Sequence, residues 1–112
     1  MTKILNMTPH IINVEVSNGS HIEKISPDGE VWRLKEEVIF DQTIEYDNFP
    51  FSVYKKTFKP PELPAEIEGT YYIVSLIVKQ AFPARKDLLV PDTGATAVRG
   101  SDGQIRYVTR FI

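Results

Sequence analysis

Closely spaced turn signals are the feature that most constrains this chain, because they leave room only for short extended segments. Asn18-Gly19 lies between the apolar runs Ile11–Val16 and His21–Ile25. Asn-Gly between two such runs is the strongest short signal for a β-hairpin, since both residues tolerate positive φ angles. Asp102-Gly103 sits in the same way between two β-prone runs near the end of the chain. Hairpins turning at both points are therefore predicted.

The middle of the chain predicts further strands. Val31–Leu34 is β-prone, and Glu37–Tyr46 alternates with period two, as a half-buried strand does. Asp47–Pro50 is predicted to turn the chain, and Phe51–Phe58 to form the next strand. The alternation predicts two faces for residues 38–46: Val38, Phe40, Gln42, Ile44 and Tyr46 on one, and Ile39, Asp41, Thr43 and Glu45 on the other.

Prolines and one change of pattern organise the next stretch. Three prolines within Lys59–Pro64 exclude a helix or a central strand, so residues 59–69 are expected to cross the domain surface as an extended arm. A β-prone run then reaches Val74. Beyond it, residues 76–82 predict a short helix, with Ser75 as its N-cap and Pro83 ending it.

Length and pattern together predict the fold class. At 112 residues and 12.8 kDa, residues 1–112 are expected to form a single domain. Short strands with turns every 8–12 residues indicate a mainly β fold: an antiparallel sheet, a sandwich or a small barrel. With at most one short helix near residues 76–82, the class is at most β-rich α+β.

Composition excludes several functional classes. The chain has no Cys and two His without ligand spacing, so no metal site and no cofactor is expected. A net charge of −2 argues against binding nucleic acid through bulk charge. The first 20 residues do not resemble a signal peptide, and no apolar run approaches a membrane span. We expect a cytoplasmic protein that contacts neither nucleic acid nor membrane.

Charge is unevenly distributed and points to an anion site. Residues 1–78 hold 7 Lys and Arg against 12 Asp and Glu, whereas residues 79–112 hold 6 against 3. Cations and hydroxyl donors around a Gly-bearing turn suit phosphate or carboxylate recognition. The alternative is internal, with Arg85 or Arg99 pairing with Asp87 or Asp92 to fix the loop. The candidate ligand-binding residues are Arg85, Lys86, Thr93, Thr96, Arg99 and His10.

Asp92-Thr93-Gly94 matches the signature of aspartic proteases, but the context argues against that activity. A motif needs its structural surroundings, and the residues after Gly94 leave no room for a flap and a bracing loop. Pro91 also stands where the protease motif needs a strand residue. We therefore interpret the segment as a turn and assign no catalytic residue, so the protein is predicted not to be an enzyme.

Two stretches together resemble a known family. One is Asn6–His10; the other runs through Tyr72–Ser75, Arg85, Asp87, Pro91–Gly94 and Ala97–Arg99. They resemble a family of small uncharacterised bacteriophage and prophage proteins. The resemblance implies a phage protein made in the bacterial host cytoplasm, and it carries over no activity. Small phage proteins include sponges that sequester nucleotide signals of bacterial immunity as oligomers, so we expect a non-catalytic binder of a small nucleotide-like anion.

Two further expectations concern partners. Apolar Val108 and Ile112 lie opposite Ile105 and Tyr107 in the last predicted strand, which suggests that a second copy covers one face and that the protein is a homo-oligomer. The alternative function is a protein-interaction module, either an inhibitor of a host protein or a minor virion component. That module would use the acidic residues between 36 and 68 together with the proline arm.

Overall fold

The structure, a computed structural model, describes residues 2–112. It is rich in strands, with 45% of residues in strands and 5% in one short helix. The elements in chain order are β1 (Lys3–Asn6), β2 (Ile12–Glu15), β3 (Ile22–Ile25), β4 (Lys35–Tyr46), β5 (Phe49–Lys59), β6 (Thr70–Ile73), α1 (Leu76–Ala81), β7 (Leu88–Leu89), β8 (Val98–Arg99) and β9 (Ile105–Tyr107).

A three-stranded sheet in the order β1-β6-β7 forms the centre of the fold. Both of its strand pairs are parallel, with Lys3 opposite Thr70 and Tyr72 opposite Leu88. Parallel strands are usually covered on both faces, which explains why β6 continues into an unbroken apolar run. The core residues around this sheet are Met7, Trp32, Tyr72, Val74, Val78, Leu88 and Val90, with Leu5, Leu63 and Phe82 packed against them.

The predicted fold class, mainly β with one short helix, is confirmed. Helix α1 begins after Ser75 and ends before Pro83, as expected, although the Ser75 side chain makes no capping hydrogen bond. Three two-stranded antiparallel sheets surround the centre: β2-β3, β4-β5 and β8-β9. The parallel pairing of the central sheet was not predicted from the sequence. Within residues 2–112, no helix is long and apolar enough to span a membrane.

Both predicted hairpins form where the turn chemistry placed them. Gly19 and Gly103 adopt φ angles of 71° and 82°, which side chains with a Cβ disfavour. After β9 the chain changes partners, because the backbone N–H of Val108 donates to the Asn13 carbonyl at 2.9 Å. Val108 is 3% exposed, covered by its own chain. A second copy is therefore not needed to cover Val108, and that expectation is wrong; Ile112 is 49% exposed, and the oligomeric state stays a prediction.

Strands β4 and β5 form a long hairpin that projects from the rest of the domain. Asp47 and Asn48 make its two-residue turn with φ angles of 54° and 68°, so β5 starts two residues earlier than expected. The register shifts between Phe40 and Gln42, where Asp41 is an extra residue that forms a β-bulge. A bulge reverses the facing of every later residue. The predicted single face of Val38 through Tyr46 is therefore wrong beyond Phe40.

Two irregular segments complete the fold. Val31–Leu34, predicted as a strand, has no strand partner; instead the Trp32 backbone N–H donates to the Met7 carbonyl at 3.0 Å, and Trp32 is buried. The Pro60–Ile67 segment is irregular, as the prolines predicted. Leu63 packs its side chain against the core, which fixes the arm to the domain.

Candidate functional site

An open groove of about 1000 Å³ lies where the three parallel strands end. Residues that follow each strand along the chain line it: Thr8–Asn13 after β1, Val74–Leu76 after β6, and Val90, Pro91 and Thr93 after β7. Ligands in open sheets of parallel strands bind outside the carboxyl ends of the strands, because the connecting loops diverge there. The extended residues Val31–Arg33 and the β8-β9 hairpin form the remaining walls.

The wall after β1 is held by a buried asparagine. Asn6 is 1% exposed, and its side-chain Nδ2 donates to the His10 carbonyl at 2.7 Å and the Ile25 carbonyl at 3.0 Å. Its Oδ1 accepts from the Thr8 backbone N–H and from the Thr8 hydroxyl, at 3.0 and 2.6 Å. With both ends of its amide used, Asn6 fixes the Thr8–His10 loop. The side chain of His10 is exposed at the groove.

The opposite wall carries two arginines from the β8-β9 hairpin. Arg99 donates from Nη1 to the Gly103 carbonyl at 2.9 Å and from Nη2 to the Thr93 carbonyl at 3.3 Å. These bonds orient the guanidinium and leave its charge uncompensated. The Arg106 side chain lies over Gly100, where a Cβ would come within 2.6 Å of Arg106 Nε and 3.1 Å of Asp102 Oδ1, so the Asp102 carboxylate is a neighbour of Arg106 without reaching salt-bridge distance. Glycine at position 100 therefore allows the Arg106 side chain to lie close to the hairpin backbone.

The electrostatic character of the groove is its most distinctive property. Arg33, Arg99 and Arg106 line it, and no Asp or Glu does. Within the described chain, residues 2–112, none of the three has a carboxylate at salt-bridge distance. Apolar side chains such as Ile12, Val90 and Ile105 line the same groove. The groove therefore combines excess positive charge with apolar surface in a protein whose net charge is −2.

Arg85 belongs to a different, internally neutralised cluster. Its Nε and Nη2 donate to the two carboxylate oxygens of Asp87 at 2.8 and 2.7 Å, and Nη1 donates to the Pro64 carbonyl at 2.8 Å. The side chains of Arg85 and Asp87 are only 16% and 7% exposed. Hydrogen bonding to Arg85 lowers the pKa of Asp87, and the same bond raises the pKa of Arg85. This pair ties β7 to the proline arm.

Asp92 is likewise engaged within the chain. Its Oδ1 accepts from the Gly94 backbone N–H at 3.0 Å, and its Oδ2 accepts from Arg110 Nε at 2.7 Å and from the Thr96 hydroxyl at 3.4 Å. The hydrogen bond from Arg110 is the main cause that lowers the pKa of Asp92. These contacts describe a turn closed by a side chain, as the Asp92-Thr93-Gly94 segment was interpreted.

The structure brings together half of the predicted binding residues. Arg99, Thr93 and His10 line one groove. Arg85 and Lys86 lie outside it, and Thr96 bonds to Asp92 beneath the loop. The internal-pairing alternative thus describes Arg85, whereas Arg99 pairs with neither Asp87 nor Asp92.

Two groove arginines, Arg33 and Arg106, were not among the predicted site residues. Arg106 follows the Asp102-Gly103 turn and is the residue next to Ile105, which pairs with Arg99, so its place in the hairpin is a signal that the sequence did contain. Arg33 reaches the groove through tertiary packing of an irregular segment, which no local pattern predicts. Trp32 and Tyr72 beside the groove belong to the core, because their rings pack together at 4.6 Å and are buried.

Neither a metal centre nor a similar protein identifies the groove. Within residues 2–112, no group of three or more His, Asp or Glu side chains lies close enough to hold a common metal ion. No protein-family model, no curated protein and no solved structure matches the chain. The groove is therefore the feature of the molecule that indicates a function.

Proposed function

We propose that this protein is a non-catalytic, phage-encoded binder of a small nucleotide-like anion, which it holds in the groove between the Thr8–His10 loop and the β8-β9 hairpin. The observation that carries the proposal is the set of three arginines, Arg33, Arg99 and Arg106, that line one groove without a carboxylate. Guanidinium groups present forked donors that match phosphate oxygens, and they keep their charge at every physiological pH.

The apolar lining decides which kind of anion suits the groove. Inorganic phosphate needs only donors, whereas a nucleotide also brings a flat base and a ribose that gain free energy from apolar contact. Side chains of Ile12, Val90 and Ile105 offer that contact beside the arginines. Small-molecule sites commonly combine a mostly apolar concavity with a few polar groups that fix orientation.

A binding role without chemistry is the simplest use of these groups. The groove lining includes one imidazole, that of His10, and no carboxylate that would orient it. General acid–base sites ordinarily pair the base with such an orienting group. Retention of the ligand unchanged would sequester a host signal, which is the sponge function expected from the phage context.

The test is titration calorimetry against cyclic and linear nucleotides, with inorganic phosphate as the comparison ligand. We expect saturable binding of at least one nucleotide, tighter than phosphate and weakened by added salt. Arg99→Ala combined with Arg106→Ala should weaken that binding about 100-fold, since a hydrogen bond to a charged group contributes about 1.5–3 kcal/mol. Lys86→Ala, a cation outside the groove, is the matched control and should bind as the parent does.

Two results would contradict the proposal. One is a parent protein that binds no member of the panel, and the other is a Lys86→Ala variant that loses as much affinity as the double variant. Either result would favour the second candidate function, a protein-interaction module acting on a host or virion protein. The observation in favour of that candidate is the projecting β4-β5 hairpin, which lies within residues 36–68 and exposes apolar side chains.

A further inference from the structure

The β4-β5 hairpin is an arm whose apolar side chains find no cover in the chain. Its strands have 12 and 11 residues, so at about 3.3 Å per residue the arm projects roughly 35 Å. With the exception of half-buried Val53, every residue of both strands is exposed. The whole molecule measures 61 × 41 × 24 Å, far from a sphere. An isolated two-stranded hairpin is marginally stable in water, so an arm of this length calls for a surface to pack against.

The bulge at Asp41 sorts the apolar side chains onto two faces. Residues directly opposite in an antiparallel pair share a face, and facing alternates along each strand. The register places one apolar cluster on one face of the arm, in the half nearest the domain. We call it the base-face patch; it consists of Val38, Phe40, Tyr54 and Phe58. The other face carries the tip-face patch: Ile39, Ile44, Tyr46, Phe49 and Phe51. The tip-face patch surrounds Gln42, which pairs with Val53.

The tip-face patch is large enough for a specific interface. Its five side chains are 47–75% exposed. An aromatic side chain buries about 150–250 Å² in full, so the patch offers roughly 500 Å² per copy. Two such patches together reach the ~1,000 Å² that a specific interface requires. Scattered single hydrophobic residues are normal on surfaces, but a contiguous patch of this kind marks an interaction site.

Charge along the arm favours a second copy as the occupant. The tip half carries Glu45 and Asp47 and no cation, and Asp41 at its start pairs with Lys55 of the same arm at 3.5 Å. In the base half Lys56 pairs with Glu36 at 2.9 Å, which leaves Lys35 and Lys59 against Glu37. Two arms that cross in opposite directions bring each acidic tip beside the other basic base. Such self-complementarity is the requirement of a two-fold interface, in which the same patch meets itself.

The edges of strands β4 and β5 are blocked, which favours association of two arms through the faces of the hairpin. Pro50 removes a backbone donor from β5, and the Asp41 bulge interrupts the ladder edge of β4. Prolines and bulges are the features by which proteins block pairing of edge strands with another chain. A continuous four-stranded sheet across two copies is therefore disfavoured. The faces remain as the route to association.

We propose that the protein is a homodimer in which the tip-face patches of two arms pack against each other across a two-fold axis near Gln42. The inference is independent of the anion groove, which lies on the other part of the molecule. It also replaces the earlier reason for self-association, since Val108 is covered within one chain.

Light scattering and analytical ultracentrifugation test the proposal on the whole protein. The parent should have the mass of a dimer at micromolar concentration. Ile44→Thr combined with Phe51→Thr should raise the dissociation constant about 100-fold or more, because central apolar side chains dominate interface free energy. Phe40→Thr combined with Tyr54→Thr removes equivalent side chains from the opposite face and should leave the dimer intact. A monomeric parent, or a reversal of these two effects, would overturn the proposal.

Disulfide trapping gives an answer that does not depend on apolar truncations. The chain has no cysteine, so a single introduced thiol reports on its own surroundings. Gln42→Cys lies at the centre of the tip-face patch and should form a disulfide-linked dimer under mild oxidation. Thr43→Cys, the next residue, is on the opposite face and should remain largely uncrosslinked. Equal crosslinking of both variants, or crosslinking of Thr43→Cys alone, would contradict the two-fold axis near Gln42.

Discussion

The five arginines of this chain fall into two groups that differ in what neutralises them. Arg85 and Arg110 each bond to an aspartate at 2.7 Å. Arg33, Arg99 and Arg106 have no carboxylate partner within the part of the chain that the structure describes, and they line one groove together. Folding therefore uses two arginines for internal contacts and leaves three with charge that a ligand can neutralise.

The difference shows why residue type alone does not identify a binding site. A guanidinium bonded to a buried carboxylate contributes to folding, because neither group can be removed without leaving the other desolvated. A guanidinium held only by backbone carbonyls, as Arg99 is, has an orientation but no counter-charge. Stability and ligand affinity should therefore respond to different arginines, and the two groups can be separated by experiment.

The largest loss of stability is expected when Arg85 is replaced. Arg85→Met leaves Asp87 buried without its partner, and such broken pairs cost about 3–5 kcal/mol. For a domain of this size, that free energy of unfolding corresponds to a fall in Tm of roughly 15 °C or more. Calorimetric melts measure it directly. Arg85→Met combined with Asp87→Leu should recover much of the loss, and a single variant that melts like the parent would refute the structural role of Arg85.

Substitutions of the groove arginines should have the opposite effect: the melting temperature should change little, and the nucleotide affinity should fall. Arg99→Ala and Arg106→Ala should each keep Tm within about 2 °C of the parent, because exposed charges contribute little to stability. Both variants should nevertheless lose nucleotide affinity. A melting temperature lowered as far as in Arg85→Met would place Arg99 or Arg106 with the internal pairs and remove the distinction between the two groups.

Acid pH should weaken the internal pair while leaving the groove arginines charged. The folded-state pKa of Asp87 lies below its ordinary value because Arg85 donates to it. Its contribution to stability is therefore complete above the ordinary aspartate pKa near 4 and is lost as pH falls through the lower folded value. Urea unfolding at decreasing pH should show this loss in the parent. Arg85→Met combined with Asp87→Leu should show a shallower decline; identical slopes would contradict the assignment to Asp87.

The smallest effect is expected at Arg110. Its side chain is 61% exposed, and Asp92, whose side chain is 14% exposed, keeps its bonds from the Gly94 backbone N–H and the Thr96 hydroxyl when Arg110 is removed. An ion pair with one exposed partner contributes little to stability, so Arg110→Ala should lower Tm by only a few degrees. The measurement sharpens the comparison by showing that burial, rather than pairing alone, makes Arg85 structural. A loss equal to that of Arg85→Met would contradict that conclusion.

Local chemistry predicted the parts of the fold that depend on neighbouring residues. Asn18-Gly19 and Asp102-Gly103 turn hairpins because their backbone preferences suffice, and Ser75 and Pro83 bound the helix for the same reason. The parallel sheet was not predicted, since Lys3 meets Thr70 only after distant segments fold together. The Asp41 bulge depends on the pairing of β4 with β5, so period-two alternation assigned the wrong face beyond Phe40.

The sequence likewise predicted part of the candidate site. Arg99, Thr93 and His10 were identified as candidates, and they line the same groove. Which aspartate each arginine reaches depends on the fold: Arg85 reaches Asp87 two residues away, whereas Asp92 is taken by Arg110, eighteen residues along the chain. The sequence left both possibilities open for Arg85 and Arg99, and only tertiary geometry distinguishes them.

The pairing of Lys35 with Lys59 has a consequence for how this chain tolerates changes in length. Because the arm leaves and re-enters the domain at one point, it connects the neighbouring parts of the core as a short loop would. The entropy of closing a loop grows slowly, by about 0.6 kcal/mol for each doubling of its length. Residue pairs can therefore be added to or removed from the arm with little effect on core folding. The length of the arm can then be set by the distance to the surface that its tip contacts.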